Sequence, residues 1–434
     1  MLFVVWTIWI SLNMSHAGSS GFFRVENTGP RQFRLVDPQG RPFYSLGVNH
    51  ITSYGDESRT QRGQYPYRQK ILAKHLTEQT WAEKTRHVLK NSGVNTLGLW
   101  SETQHFPGIP YTLSMECSKD YKGGQFRQQD FWDPGFENFA RIKAQQVTTG
   151  RVGDPFLVGY FLDNENPWGR DHREIRSHLQ VMMELPAHAA GKLRLAQFLQ
   201  ERYANDIGAL NRRWKSRFKD FDSILYQKGL PHATRLLGAA LEDEEAFLYL
   251  TARRYFDVCS KALRSYDANH LLLGPRFLAL WTYQAVVRAS AETQDVVSVN
   301  LYTYLPGLSR YLPRWVPGRL ISIENGLDEY FALTGKPILI SEFGIRAVTP
   351  QTESTWPPFY PTYHNQKERA AALSRFLQRH ARQPYVVGAH IFQYMDQPQE
   401  GRVDGENNNW GLVSLDDEPY SEVIRVLSDF SKLF

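Results

Sequence analysis

The chain has 434 residues, of which 42% are hydrophobic and 22% charged, a composition typical of a globular protein with a sizeable core. Its formal charge of +5 is spread along the sequence without a block of like charges, so nucleic acid is not favoured as a partner. The sequence contains no HExxH, CxxC, Walker or GxGxxG motif, which leaves metalloprotease, redox and nucleotide-binding functions without support.

The N-terminus has the pattern of a targeting segment. Residues 2–12, LFVVWTIWISL, form an apolar run of the length of a signal-peptide core, and Ser15, His16 and Ala17 fit the small-x-small cleavage rule. The run is too short to span a bilayer, so no stable membrane span is expected. No Lys or Arg precedes it, and a misassigned start or a cytoplasmic tail is the alternative. We predict a signal peptide at 1–17 and a secreted or periplasmic protein.

Eight apolar runs follow in the rest of the chain. Because these runs are continuous and do not alternate with polar residues, they are typical of parallel strands that helices cover on both sides. Eight such units predict an α/β fold, a (β/α)8 TIM barrel. The predicted strands are Phe43–Val48, Val94–Trp100, Tyr111–Cys117, Phe156–Leu162, His270–Gly274, Asp295–Asn300, Pro337–Ser341 and Tyr385–Phe392.

Helical patterns separate the strands. Thr80–Glu83 reads as a capping box that starts a helix ending at Gly93, and Asp133 followed by Pro134 starts another. Residues 171–266 are much longer than one connecting helix and predict a helical insertion between strands four and five, with helices over 192–214 and 244–266. Since no linker or repeat interrupts the pattern, residues 18–434 are predicted to form a single domain.

The two cysteines, Cys117 and Cys259, lie on a predicted strand and a predicted helix. Neither has the sequence context of a catalytic nucleophile. Two buried thiols and one disulfide bond are both compatible with this pattern.

Polar and aromatic side chains follow the predicted strands directly. The active face of such a barrel is built from the loops after its strands, so these side chains are expected to meet at one rim. Glu165 and Glu342 come immediately after strands four and seven, 177 residues apart (342 minus 165). Glycosidic bond cleavage needs one carboxyl group as proton donor and a second one on the opposite face of the sugar.

These positions carry a family resemblance. An Asn-Glu pair after strand four and a Glu after strand seven is similar to the signature of the retaining β-glycosidases built on this barrel. Longer stretches resemble the β-agarases and their trimeric β-galactosidase relatives. The large N-terminal accessory domain of the multidomain agarases has no counterpart here, and residues 343–347 depart from the agarase pattern. The similar stretches are GYFLDNE (159–165), 198–214, ISEFG (340–344), 388–398 and 401–413.

The resemblance implies a mechanism and a substrate class. It assigns Glu165 as acid/base and Glu342 as nucleophile, with Asn164 bound to the sugar 2-hydroxyl and Tyr302 holding the nucleophile. The implied reaction is retaining hydrolysis of β-glycosidic bonds in an oligo- or polysaccharide, with a carbohydrate as partner and no metal or cofactor. A transglycosylase with the same carboxylates, or a non-catalytic carbohydrate-binding protein, remains an alternative.

Further rim residues are candidates for sugar binding, each with a structural alternative. Arg276 is a candidate for positioning charge or substrate, while the tryptophans either stack on sugar rings or pack in the core. Asp163 is expected to cap or support its neighbours. Asp404 and Glu406 either shape their loop or bind a cation. The remaining candidates are Asn49, His50, Trp100, Trp168, Gln393 and Trp410.

Overall fold

The computed structural model of the chain describes residues 21–74, 77–122, 127–171, 173–279, 281–305, 320–321 and 326–434. The predicted signal peptide at 1–17 lies outside these residues. The strands are β1 Arg24–Gly29, β2 Gln32–Val36, β3 Pro42–Phe43, β4 Ser45–Val48, β5 Thr96–Leu97, β6 Tyr111–Ser114, β7 Leu157–Phe161, β8 Leu271–Leu272, β9 Phe277–Leu278, β10 Val297–Asn300, β11 Ile338–Phe343, β12 Arg346–Ala347, β13 Thr362–Tyr363 and β14 Val386–Ile391.

A nine-stranded parallel sheet forms the centre of the described chain. Its strand order is β8-β7-β6-β5-β4-β14-β11-β10-β9, and it curls so that Leu162 N donates to Gly274 O while Val296 N donates to Leu272 O. The strands at the two ends of this order, β8 and β9, are separated only by residues 273–276. Of the predicted fifth strand, His270–Gly274, only Leu271–Leu272 is a strand, and the short strand β9 follows after residues 273–276. The fold is α/β with a large curled parallel sheet, consistent with a TIM-like barrel.

Helices flank the sheet. They are α1 Pro66–Ala73, α2 Glu78–Ser92, α3 Gly135–Thr148, α4 His178–Glu184, α5 Ala190–Arg202, α6 Ile207–Trp214, α7 His232–Leu236, α8 Leu241–Tyr266, α9 Gln284–Ser290, α10 Gly326–Thr334, α11 Gln366–Ala381 and α12 Ser421–Ser431, with 3-10 turns at Thr103–His105 and Asp222–Tyr226. Within the described residues, no helix is both long and apolar enough to cross a membrane.

The start of α2 differs from the prediction, whereas its end agrees. The side chain of Thr77 accepts a hydrogen bond from Thr80 N at 3.1 Å, so the N-cap lies three residues before the predicted one. Gly93 ends it with φ +71°, a left-handed conformation that glycine adopts without steric cost. The prediction of Thr80 as the N-cap is wrong, because Thr80 is the residue whose backbone N donates to the N-cap, Thr77.

Helices α4 to α8 lie between β7 and β8 and share a hydrophobic cluster of their own, which includes Met182, Leu199 and Phe247. The predicted continuous helix over 192–214 is wrong, because Ala204 and Asn205 are left-handed and separate α5 from α6. Asp206 then caps α6 by accepting from Ala209 N at 3.0 Å.

A short antiparallel sheet covers part of the barrel-like core. It has the order β1-β2-β3. Leu35 on β2 and Phe23, just before β1, pack in one cluster with residues of the large sheet such as Val158, Leu339 and Val387. These apolar side chains form a separate buried cluster of the core.

The two cysteines form a disulfide bond. Cys117 follows β6 and Cys259 lies on α8, with their Cα atoms 6.3 Å apart. Of the two alternatives left open by the sequence, the structure has the bridge, and it ties α8 to the carboxyl end of the sheet.

Candidate active site

The carboxyl ends of β7, β8, β10 and β11 bring the two predicted catalytic residues into one polar cluster. Glu342 is buried, and both of its carboxylate oxygens have partners. The Arg276 guanidinium donates to Oε2, and the Tyr302 hydroxyl donates to Oε1 at 2.5 Å. This fixed carboxylate has the orientation control that a nucleophile requires.

Arg276 is fully buried and is the central cation of the cluster. Its Nε donates to Asn164 Oδ1 at 2.8 Å and its Nη1 to Asn49 Oδ1 at 3.2 Å. The ring centroid of Trp100 lies 4.9 Å from the guanidinium carbon. Burial lowers the pKa of Arg276, and the charge of Glu342 opposes this effect. A buried cation needs such partners, because the penalty for removing its water shell is several kcal/mol.

Asn300 links the acid/base candidate to the same cluster. Its Nδ2 donates to Glu165 Oε1 at 2.8 Å and to Asn164 Oδ1 at 3.2 Å. Ser341 Oγ donates to Asn300 Oδ1 at 2.8 Å, which orients the amide. The sequence placed Asn300 at the end of a strand without assigning it to the site.

The environment of Glu165 favours a carboxyl group that is protonated near neutral pH. Burial, followed by the like charge of Glu342, raises the pKa of Glu165 to about 7. The hydrogen bond from Asn300 and the charges of Arg173 and Arg276 act in the opposite direction. A general acid is most effective when its pKa lies near the working pH.

Several site residues have left-handed backbones although none is glycine. The φ values are +58° for His50, +63° for Trp100, +54° for Glu165 and +53° for Arg276. Such residues are uncommon, and they concentrate where the surrounding structure forces a side chain into a functional direction. Each lies two to four residues after the end of a strand, so the turn out of the sheet also directs the side chain.

A second group of polar residues lies at the carboxyl ends of β4 and β14. His50 Nδ1 lies 3.0 Å from Gln393 Oε1, and Gln393 Nε2 donates to Asp56 Oδ2 at 2.6 Å. Asn49 bridges the two groups, because its Nδ2 donates to Ser341 O at 3.1 Å. Asp56 comes from a loop without strand or helix pattern, which explains why the sequence analysis missed it.

The three predicted tryptophans have different surroundings. Trp100 is 39% exposed beside Arg276 and can present a ring face to a ligand. Trp410 is buried, with its ring 5.7 Å from Tyr302. Trp168 is buried with its ring 5.2 Å from that of Tyr255. The positions of Trp410 and Trp168 favour the packing alternative over direct sugar contact.

Asp163 and Glu406 both have structural partners. Asp163 is buried and accepts from Ser118 N at 2.9 Å and from the Tyr255 hydroxyl at 2.6 Å, and burial raises its pKa to about 6. Glu406 accepts from Gln397 Nε2 at 2.9 Å and pairs with Arg402 at 3.2 Å. These contacts correspond to the supporting and loop-shaping alternatives.

Two β-agarases are similar to this chain. No family model matches the chain. Over 92% of its length it is 27% identical to β-agarase A of Vibrio sp. (strain JT0107), and over 95% it is 24% identical to β-agarase B of the same strain. Both of these similar proteins are β-agarases. This confirms the resemblance inferred from the strand-end motifs. The chain spans only 44% and 48% of the lengths of these two agarases.

Solved structures of agarases share the fold. The agarase AgWH50C is 26% identical, with a TM-score of 0.76 over 95% of this chain and 65% of that one. An exo-β-agarase is 23% identical, with a TM-score of 0.77 over 96% of this chain and 65% of that one, and at this identity the likeness concerns the fold alone.

Proposed function

We propose that this chain is a retaining glycoside hydrolase that cleaves β-glycosidic bonds in an agarose- or β-galactoside-like oligo- or polysaccharide. The observation that carries the proposal is the joining of Glu165 and Glu342 by Arg276, Asn164 and Asn300 in one hydrogen-bond network. The agarase homologues support the substrate class. The proposal includes a closed (β/α)8 barrel with a helical insertion, whose active face holds this network.

The mechanism divides into two displacements. Glu342, held by Arg276 and Tyr302, attacks the anomeric carbon while Glu165 protonates the departing oxygen. The glycosylated Glu342 no longer carries a negative charge, so the pKa of Glu165 falls and its carboxylate can deprotonate the incoming water. Asn164, Asn49, His50, Trp100 and Gln393 are proposed to bind the sugar around this pair.

The proposal is tested by trapping the covalent intermediate. A 2-deoxy-2-fluoro β-galactosyl inhibitor with an activated leaving group is expected to add one sugar mass to the peptide that contains Glu342. Glu342→Gln is the matched control and should remain unlabelled. A folded protein that binds the sugar but is neither labelled nor active would favour the carbohydrate-binding alternative. Excess transfer product at high acceptor concentration would favour the transglycosylase.

Replacing Glu165 by alanine is expected to separate the two classes of substrate. Hydrolysis of unactivated β-glycosides should fall by about 10³-fold, because their leaving oxygen requires a proton. The first step with aryl glycosides, whose leaving groups need no proton, should be largely retained. Stopped-flow release of the phenol measures that step, with the exposed Glu137→Ala on α3 as control. An equal loss on both classes would count against Glu165 as the acid.

Export is part of the proposal. The segment 1–17 has the sequence pattern of a signal peptide, and the bond between Cys117 and Cys259 suits an oxidising compartment. In this proposal the protein acts on polysaccharide outside the cytoplasm.

A further inference from the structure

The main chain of Glu165 is fixed by backbone hydrogen bonds at its N atom and by one side chain at its carbonyl. Its φ of +54° is unfavourable for a non-glycine residue, and its N atom is 3.3 Å from both Pro275 O and Arg276 O. The carbonyl of Glu165, in contrast, accepts a hydrogen bond of 2.7 Å from Arg173 Nη1. A hydrogen bond from a charged donor is about twice as strong as a neutral one.

Arg173 is itself fixed in direction. Its Nε and Nη2 donate to Asp171 Oδ2 at 2.9 and 2.5 Å, and its own backbone N donates to Asp171 Oδ1 at 2.7 Å. The Asp171 side chain is only 2% exposed. Because the carboxylate binds both ends of Arg173, the guanidinium has little freedom to leave the Glu165 carbonyl.

The segment that carries Arg173 is anchored to the helical region. Arg170 Nη1 donates to Glu244 Oε2 on α8 at 2.8 Å, and the backbone N of Arg170 donates to the Tyr283 hydroxyl at 2.9 Å. The position of Arg173 therefore depends on contacts with Glu244 and Tyr283, neither of which belongs to the Glu165–Glu342 pair.

We propose that Arg173 is a positioning residue for the acid/base, which holds Glu165 in its left-handed conformation and places a positive charge beside its carboxyl group. This inference rests on the proposed function. It adds to that function a residue that acts through Glu165 without touching substrate.

The charges around Glu165 determine the direction in which its pKa should change when Arg173 is replaced. The groups that act on it from the packed elements are Glu342, which raises its pKa, and Arg173 and Arg276, which lower it. Tyr304 and Tyr360 are the neighbouring phenols. Loss of the Arg173 charge removes one lowering effect and leaves Asp171 uncompensated, and both changes raise the pKa of Glu165 further.

The test is the pH profile of Arg173→Met with an unactivated β-galactoside. The alkaline limb of kcat/KM reports the protonated acid, so it is expected to move upward by about one pH unit. The value at the optimum should fall by about tenfold, because the carboxyl group is less well placed. Aryl glycosides should lose less in their first step.

Two further variants separate charge from hydrogen bonding. Arg173→Lys keeps the positive charge, so its alkaline limb should coincide with that of the unmodified chain. Arg173→Gln removes the charge and should show the same upward shift as Arg173→Met. Arg176→Met, in the same segment but paired with Glu174 and Glu184, is the matched control and should leave the limb in place. If Arg173→Met does not fold, as judged by circular dichroism, Arg173→Gln carries the test.

A uniform loss of kcat/KM with an unmoved alkaline limb in Arg173→Met and Arg173→Gln would overturn the positioning role. Failure of the proposed function is a different result, since the unmodified chain would then neither cleave β-glycosides nor become labelled at Glu342.

Discussion

Replacing Glu342 by alanine is expected to abolish turnover, with a loss in kcat of about 10⁴-fold or more. The methyl group cannot attack the anomeric carbon, and Arg276 and Tyr302 lose the carboxylate that they orient. The rate should fall on activated and unactivated substrates alike, because both need the covalent intermediate. This distinguishes the variant from Glu165→Ala.

Azide should restore part of this activity. The space left by the Glu342 side chain admits a small anion on the face of the sugar opposite the leaving group, so the product should be the α-glycosyl azide. NMR spectroscopy of the product gives its anomeric configuration. A β-glycosyl azide would mean that Glu165 and Glu342 have the opposite roles. Thermal denaturation must first show that the variant is folded, since Arg276 remains buried without its counter-ion.

Removing the disulfide bond is expected to lower the free energy of unfolding strongly. The bond closes a 142-residue separation between Cys117 and Cys259. Chain-entropy considerations give a loss of about 5 kcal/mol in the free energy of unfolding for a loop of this size. Urea denaturation of Cys117→Ala/Cys259→Ala against the unmodified chain measures the difference.

Reductant provides the control for this prediction. Dithiothreitol should lower the urea midpoint of the unmodified chain toward that of the double variant and leave the double variant unchanged. An unmodified chain whose midpoint does not respond to reductant would show that the thiols are unpaired. Activity is expected to fall as well, because Ser118, next to Cys117, donates to Asp163, and Tyr255 on α8 binds the same carboxylate.

The proposed catalytic pair could be placed at one rim from the sequence because both of its members follow apolar runs. In a parallel sheet the ends of all strands meet at one edge, so position along the chain already implies position in space for Glu165 and Glu342. Arg276 was found in the same way, whereas Tyr302 was assigned by the family resemblance.

Other features depend on contacts that no local pattern encodes. Asp56 and Arg173 reach the site from irregular segments, where they contact Gln393 and Glu165. The break between α5 and α6 follows from two left-handed residues in an otherwise helical pattern. The pairing of two cysteines is a long-range contact of the same kind.

Asn300 and Arg276 couple the two carboxylates through one hydrogen-bond network. Since Asn164 accepts from both of these side chains, a change at the proton donor alters the surroundings of the nucleophile, and the reverse also holds. Residues within one hydrogen-bond network have strongly non-additive mutational effects. Evolution toward another sugar or acceptor would therefore be epistatic. A substitution beside one carboxylate would be accepted only together with a compensating substitution beside the other.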